Sequence, residues 1–456
     1  MGKSMKKIYM TVILFAAVFM FSSCNVNSNQ SQETNNSVHP SNPAQPELTQ
    51  PEPTQSEQTP TEPTQAEPPQ AEPTRAEPTQ PKPAQSDPLP SNPDYEALSK
   101  AEQLLKNMTL KEKVGQLLLI RPESLCTDLS SAQINDTHEY GVTEFNLKMA
   151  KTLDNYPVGG IVMFGKNIQS PSQLTNFINE MQQNSKIHLF MGVDEEGGNV
   201  SRIANTPGFD VQKFESMETV GQTKDSKKAL EVGSVIGSYI KEYGFNLDFA
   251  PVADVNTNPD NIVIGNRSFG NEPNLVAEMV SAEIEGLHKS GIMSCIKHFP
   301  GHGDTKEDTH NGFVSIEKNW DELKECELIP FKAGIAAQTD MIMISHITAD
   351  NITDNKLPSS LSYEMIEEKL RKELNYDGVV ITDSMSMGAI ANQYSSGDAA
   401  VKAISAGADI VLMPEDFIEA FEGIYEAVKN GTLSETRIDQ SVLRILSLKE
   451  KYGFLN

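Results

Sequence analysis

The run Gly291-Ile292-Met293-Ser294-Cys295-Ile296 followed by KHFPGHGDTKEDTH, residues 297–310, changes character at Lys297. Its first six residues read as a buried strand, and the fourteen that follow carry three His and two Asp around two glycines. A hydrophobic strand that breaks into titratable groups at its carboxyl end is the pattern of an active-site loop on a rigid scaffold. Gly301 and Gly303 allow backbone conformations that other residues resist. Asp308 and His310 are spaced for a carboxylate to orient and charge an imidazole. Two plainer readings compete: a solvated polar loop, or a metal site built from His298, His302, Asp304 and His310. The metal reading is disfavoured because the run has neither the i, i+4 His pair of a helical zinc site nor Cys/His ligand spacing.

The same change from apolar to polar recurs along the chain. Short apolar runs at Leu117–Ile120, Gly160–Phe164, His188–Val193, Leu247–Pro251, Met293–Ile296, Met341–Ser345, Val379–Thr382 and Ile410–Met413 alternate with amphipathic stretches. Eight such runs with helices between them predict an α/β fold, a (β/α)8 TIM-type barrel over residues 96–456. Thr109-x-x-Glu112 reads as a capping box, and Ser434 as the cap of a last helix with apolar Ile438, Val442, Ile445 and Leu446. Asp194, Asp254, Lys297, His298, His346 and Asp383 all fall at or just past the carboxyl ends of these strands, the rim where such barrels place their chemistry. A doubly wound sheet is the rival fold, disfavoured because no Gly-rich phosphate turn follows the first strand.

The stretch KHFPGHGDT with the following Asp308-Thr309-His310 resembles the signature of the β-N-acetylglucosaminidase branch of glycoside hydrolase family 3. The segment 378–387, GVVITDSMSM, is similar to that family's nucleophile strand, and Asp194-Glu195-Glu196-Gly197-Gly198 with Arg202 to its substrate-binding loop. Asn266-Arg267-Ser268-Phe269-Gly270 and residues 108–116, MTLKEKVGQ, resemble further family elements, so that the likeness spans about residues 96–456.

The resemblance implies retaining hydrolysis of a terminal β-linked N-acetylglucosamine, with muropeptides or other cell-wall fragments as substrates. Retention needs a nucleophile on one face of the anomeric carbon and a proton donor near the leaving oxygen. Asp383 takes the first role, although an Asp there would equally serve as N-cap of a helix over residues 384–391. His310, oriented by Asp308, takes the second. The family most often has Ser where this chain has Thr309, which keeps the hydroxyl. Asp194, Arg202, Arg267, Lys297 and His298 are implied to hold the sugar; the alternative for each is an ion pair within the rim. Asp254 and His346 are read as rim support. Glu195 stands where relatives usually carry Gln, and Asn199 where they usually carry Arg. The likeness further implies cis bonds at Lys297-His298 and Phe299-Pro300. No cofactor or metal is called for by this chemistry.

Residues 1–23 combine Lys3, Lys6 and Lys7 with the apolar run Ile8–Phe21 and Ser22-Ser23 before Cys24, a lipoprotein signal peptide. The run falls short of the about 20 residues that cross a bilayer. Cys24 is expected to carry lipid, placing the chain on the outer face of the cytoplasmic membrane. Residues 24–95, rich in Pro, Glu, Thr and Gln, bury too little apolar surface to offset their ordering entropy and read as a disordered, semi-rigid tether reaching into the wall. A net charge of −26 argues against nucleic acid as a partner. After Cys24 only Cys126, Cys295 and Cys326 remain, so at least one thiol stays free; Cys295 reads as a core residue. The chain ends at Asn456, soon after the closing helix, so a single barrel is expected to hold all the catalytic parts.

Three other activities stay open at this level. A His acid/base repels phosphate less than a carboxylate would, which allows a phosphorylase. A β-glucosidase of the same family is the second, and a non-enzymatic sugar-binding lipoprotein the third.

Overall fold

Successive side chains on a strand face opposite ways, and here that alternation sorts the apolar residues into two cores. A computed structural model describes residues 98–455 apart from 137, 139, 140, 307, 308, 310, 311 and 313. The signal segment 1–23, Cys24, the tether 24–95, Asp308 and His310 therefore lie outside the described residues. Leu119, Val162, Phe190, Leu247, Cys295, Met343, Ile381 and Leu412 form an inner cluster. Their neighbours Leu118, Ile120, Ile161, Met191, Ile296, Ile342, Val380 and Val411 join an outer core with the helices.

The strands are β1 (Leu118–Ile120), β2 (Gly160–Met163), β3 (Phe190–Val193), β4 (Leu247–Asp248), β5 (Met293–Phe299), β6 (Met341–Ile344), β7 (Val379–Thr382) and β8 (Val411–Leu412). They pair in parallel in chain order, from β1 beside β2 through to β6 beside β7, and β8 pairs with β1. The ring closes where Thr382 N donates to Ile410 O at 3.0 Å beside an Ile381–Ile410 bridge. Helices such as Pro171–Gln183, Ser226–Glu242, Pro273–Ser290 and Ser396–Ala406 connect consecutive strands on the outside. This is the barrel expected from the sequence.

Two strands differ most in length from their sequence pattern, the others by one or two terminal residues at most. β4 stops at Asp248, three residues before Pro251, whose missing N–H cannot continue a ladder. β5 runs on to Phe299, where it pairs with Ile344, so Lys297 and His298 belong to the strand itself. The Lys297-His298, Phe299-Pro300 and Ala250-Pro251 bonds are cis.

The capping predictions hold at atomic detail. Thr109 Oγ1 accepts from Glu112 N at 3.3 Å, and Glu112 Oε2 accepts from Thr109 N at 2.9 Å. Ser434 Oγ accepts from Arg437 N at 3.1 Å and starts the helix Glu435–Lys451, whose Ile438, Val442, Ile445 and Leu446 are buried. This helix closes the amino ends of the strands. Ile445 and Leu448 enter the inner cluster, and Lys449 Nζ lies 4.6 Å from the Phe190 ring while donating to Gln116 Oε1 and Gly159 O. Gly192 leaves room for the interior, since a Cβ there would sit 2.8 Å from the Phe249 ring. Cys295 is fully buried, and Cys126, Cys295 and Cys326 are free thiols.

Candidate active site

With the amino ends closed, the carboxyl ends hold the chemistry. Arg121 directly follows β1, Phe164 β2, Asp194 β3, Asp383 β7 and Met413 β8, and all five line one cavity with Lys297 and His298 of β5. Loops add Glu196, Arg202, Arg267, His302 and Thr309 to its wall. All six sequence-derived site residues that are described, Asp194, Arg202, Arg267, Lys297, His298 and Asp383, thus converge on one cavity. Asp308 and His310 lie outside the described residues, and Thr309 between them lines the cavity.

The cavity wall carries charges of alternating sign. Asp194 meets Arg202 Nη2 at 3.5 Å and Lys297 Nζ at 2.7 Å; Lys297 also meets Glu196 Oε1 at 2.5 Å. Glu196 in turn accepts two bonds of 2.8 Å from the Arg267 guanidinium. Burial alone would raise both carboxyls, but Lys297 and Arg202 hold Asp194 below its ordinary value, and Arg267 with Lys297 does so more strongly for Glu196. Burial would likewise lower Lys297, yet Asp194 and Glu196 outweigh it and push the ammonium above its usual range. The wall therefore stays charged, with fixed donors and acceptors lining the cavity. The ion-pair reading of these residues is also present, because pairing is what keeps buried charges in place.

Asp254 organises the far side. Its fully buried carboxylate takes His298 Nδ1 at 2.7 Å and His302 N at 2.6 Å, so one side chain orients the ring of His298 and the start of the following loop. His302 Nδ1 is bonded to Thr305 Oγ1 at 2.7 Å, and Asp304 is engaged by Thr257 Oγ1 at 3.0 Å and Lys318 at 3.2 Å. Among the described residues no group of three His, Cys, Asp or Glu side chains converges as a metal would require. His346 is buried, with Nδ1 on Ser360 Oγ at 2.7 Å and Nε2 on Ser384 O at 2.9 Å, so it braces the turn after Asp383.

Asp383 is half-buried, and its Oδ1 accepts from Ser384 N at 2.7 Å. The helix expected over residues 384–391 begins only at Gly388 and is preceded by Met387 at its N-cap. Asp383 therefore does not cap it; Ser384 to Met387 form a turn that leaves the carboxylate in the cavity.

Two charged cavity residues, Arg121 and Glu196, were not singled out from the sequence. Arg121 is buried, donates to Asn135 Oδ1 at 2.6 Å and Ser386 Oγ at 3.1 Å, and burial lowers it to about 10. Its position directly after β1 is the same signal that marked Asp194 and Asp383. Glu196 sat inside the quoted loop, but nothing local distinguishes it from Glu195, which faces away from the cavity.

The family model described as the N-terminal domain of glycosyl hydrolase family 3 matches residues 109–448. The chain belongs to glycosyl hydrolase family 3. This family 3 chain is 30% identical over 372 residues to beta-hexosaminidase A of Pseudoalteromonas piscicida, covering 75% of itself and 61% of that protein. It is 32% identical over 307 residues to beta-hexosaminidase LpqI of Mycobacterium tuberculosis, covering 65% of itself and 76% of that protein. A solved family 3 β-N-acetylglucosaminidase from Paenibacillus sp. str. FPU-7 superposes with a TM-score of 0.70 at 36% identity, over 76% of this chain and 63% of that one. The chain thus spans only about three fifths of the first and third of these relatives.

Proposed function

We propose that this chain is a retaining exo-β-N-acetylglucosaminidase that releases terminal β-linked N-acetylglucosamine from cell-wall fragments. The observation that carries the reading is the placement of Asp383, directly after β7, in the same cavity as Asp194, Lys297 and His298 in a family 3 barrel. The relatives' names, beta-hexosaminidase and β-N-acetylglucosaminidase, support the choice of sugar.

In this mechanism the Asp383 carboxylate attacks the anomeric carbon as the glycosidic bond breaks, and His310, oriented by Asp308, protonates the departing oxygen. A water then enters, His310 takes its proton, and the water oxygen displaces Asp383 to free the sugar with its configuration retained. Asp194, Arg202, Arg267, Lys297 and His298 hold the sugar's hydroxyls so that this geometry is met. The chain acts from the outer face of the cytoplasmic membrane, lipid-anchored at Cys24 and carried into the wall by the tether.

The deciding assay compares a chromogenic β-N-acetylglucosaminide with the matching β-glucoside, with and without phosphate. Preferential hydrolysis of the first, unaffected by phosphate, is expected. Faster cleavage of the glucoside, or release of sugar 1-phosphate only when phosphate is present, overturns the reading. A clickable fatty acid fed to expressing cells should label the wild-type chain and not Cys24→Ala; equal labelling of both removes the anchor.

A further inference from the structure

Adjacent carboxylates in the loop after β3 face opposite ways. Glu196 enters the cavity, while Glu195 is fully buried beneath it. Glu195 Oε2 accepts from Ile203 N at 2.8 Å, and its Oε1 accepts from Ala204 N at 2.9 Å and from the Tyr239 hydroxyl at 2.8 Å. The Glu195 N–H donates to Asp248 Oδ1 at 3.0 Å. Glu195–Gly197 and Val200–Ser201 pair as a short hairpin, and the Glu195 side chain clamps the backbone just past it and ties it to the helix Ser226–Glu242, while its own N–H ties the hairpin to β4. Gly197 and Gly198, at φ +91° and +61°, turn the chain within the hairpin.

The clamped loop presents Arg202, the residue just before the two clamped N–H groups. Among the described residues little else holds that guanidinium: its one ion pair, to Asp194, is 3.5 Å long, its Nε has no hydrogen-bond partner, and it lies 5.5 Å from the Phe164 ring. Its place is therefore set by the backbone that Glu195 grips. Three donors converge on the Glu195 carboxylate, so it is not poised for catalysis.

We infer that Glu195 is a positioning residue, which sets the grip on the sugar through Arg202 and leaves bond cleavage to other groups. The inference rests on the glycosidase reading above. A glutamine at this position offers one acceptor oxygen and an amide donor, so one backbone N–H would face a donor; alanine offers nothing to either.

Glu195→Ala should raise KM for the chromogenic β-N-acetylglucosaminide about tenfold, the factor that accompanies 1.4 kcal/mol of lost binding, with kcat changed less than about threefold. Glu195→Gln should show a smaller rise in KM and Tyr239→Phe the smallest. Amide hydrogen exchange supplies a readout independent of activity: exchange at Ile203 and Ala204 should speed up in Glu195→Ala while the barrel strands keep their protection. Unchanged exchange at those two amides overturns the clamp, and a fall in kcat at constant KM overturns the positioning role. If Glu195→Ala does not fold, Glu195→Gln and Tyr239→Phe decide, and wild-type KM with wild-type exchange in both refutes the inference. A wild-type chain without hydrolytic activity would refute the glycosidase reading, while exchange would still report on the clamp.

Discussion

The Glu196 carboxylate takes a two-pronged grip from Arg267, Nε to Oε2 and Nη2 to Oε1, both at 2.8 Å. Lys297 Nζ also meets Oε1 at 2.5 Å, so one buried anion serves two cations, Lys297 buried and Arg267 partly exposed. Removing it costs Arg267 both prongs and Lys297 one of its two carboxylates, Asp194 being the other. Glu196→Gln should destabilise the barrel by about 3 kcal/mol or more in urea unfolding, the usual cost of breaking a buried pair from one side. The same pairing makes acid stability testable. Burial would raise the Glu196 carboxyl, but Arg267 and Lys297 outweigh it and hold it below its ordinary 4.5. The unfolded chain therefore takes up this proton first, so the contribution is complete above pH 4.5 and is lost as the pH falls below it. A wild-type minus Glu196→Gln stability difference that stays constant into acid would contradict this.

Asp383→Ala should lower turnover by at least about a thousandfold with an unchanged melting temperature, because in the proposed mechanism it removes the group that captures the anomeric carbon while β7 keeps its packing. A 5-fluoro glycosyl fluoride of N-acetylglucosamine should add its mass to the peptide that contains Asp383. A label on any other carboxylate would reassign the nucleophile.

His310→Ala should harm substrates with poor leaving groups about a hundredfold more than activated aryl glycosides, since only the former depend on strong protonation. Asp308→Ala should show the same pattern, more weakly. Equal losses on both substrate types would turn His310 into a binding residue.

Lys449 is buried at the closed end of the barrel, and burial pushes its ammonium down from 10.5 to about 7. The unfolded chain keeps this proton up to its ordinary value while the folded chain releases it near 7, so between these limits the unfolded state binds more protons and stability rises with pH. Wild type should therefore gain on Lys449→Met as the pH is raised from 7 towards 10, with a slope of up to about 1.4 kcal/mol per unit. Parallel stability profiles for the two proteins would show that Lys449 does not titrate in that window.

The barrel was legible because its signals are local. Runs such as Val379–Thr382 are apolar for one strand's length and then break into charge, and in a parallel barrel every such break falls on the same rim. That is why Asp194, Lys297, His298 and Asp383 could be placed on one surface before any contact was known. Arg121 carried the same mark.

What the sequence determined by itself was strand order, the capped ends at Thr109 and Ser434, and the rim residues, since each depends on neighbours within a few positions of the chain. Only the tertiary structure decided the pairings. Glu196 finds Arg267 across 71 residues and Lys297 finds Asp194 across 103, because closing the ring brings β3, β4 and β5 side by side. It also decided which of Glu195 and Glu196 faces the cavity. Both are buried carboxylates next to each other in the chain, and only the donors gathered around them, two backbone N–H groups and a tyrosine for one and an arginine and a lysine for the other, tell the clamp from the cavity wall.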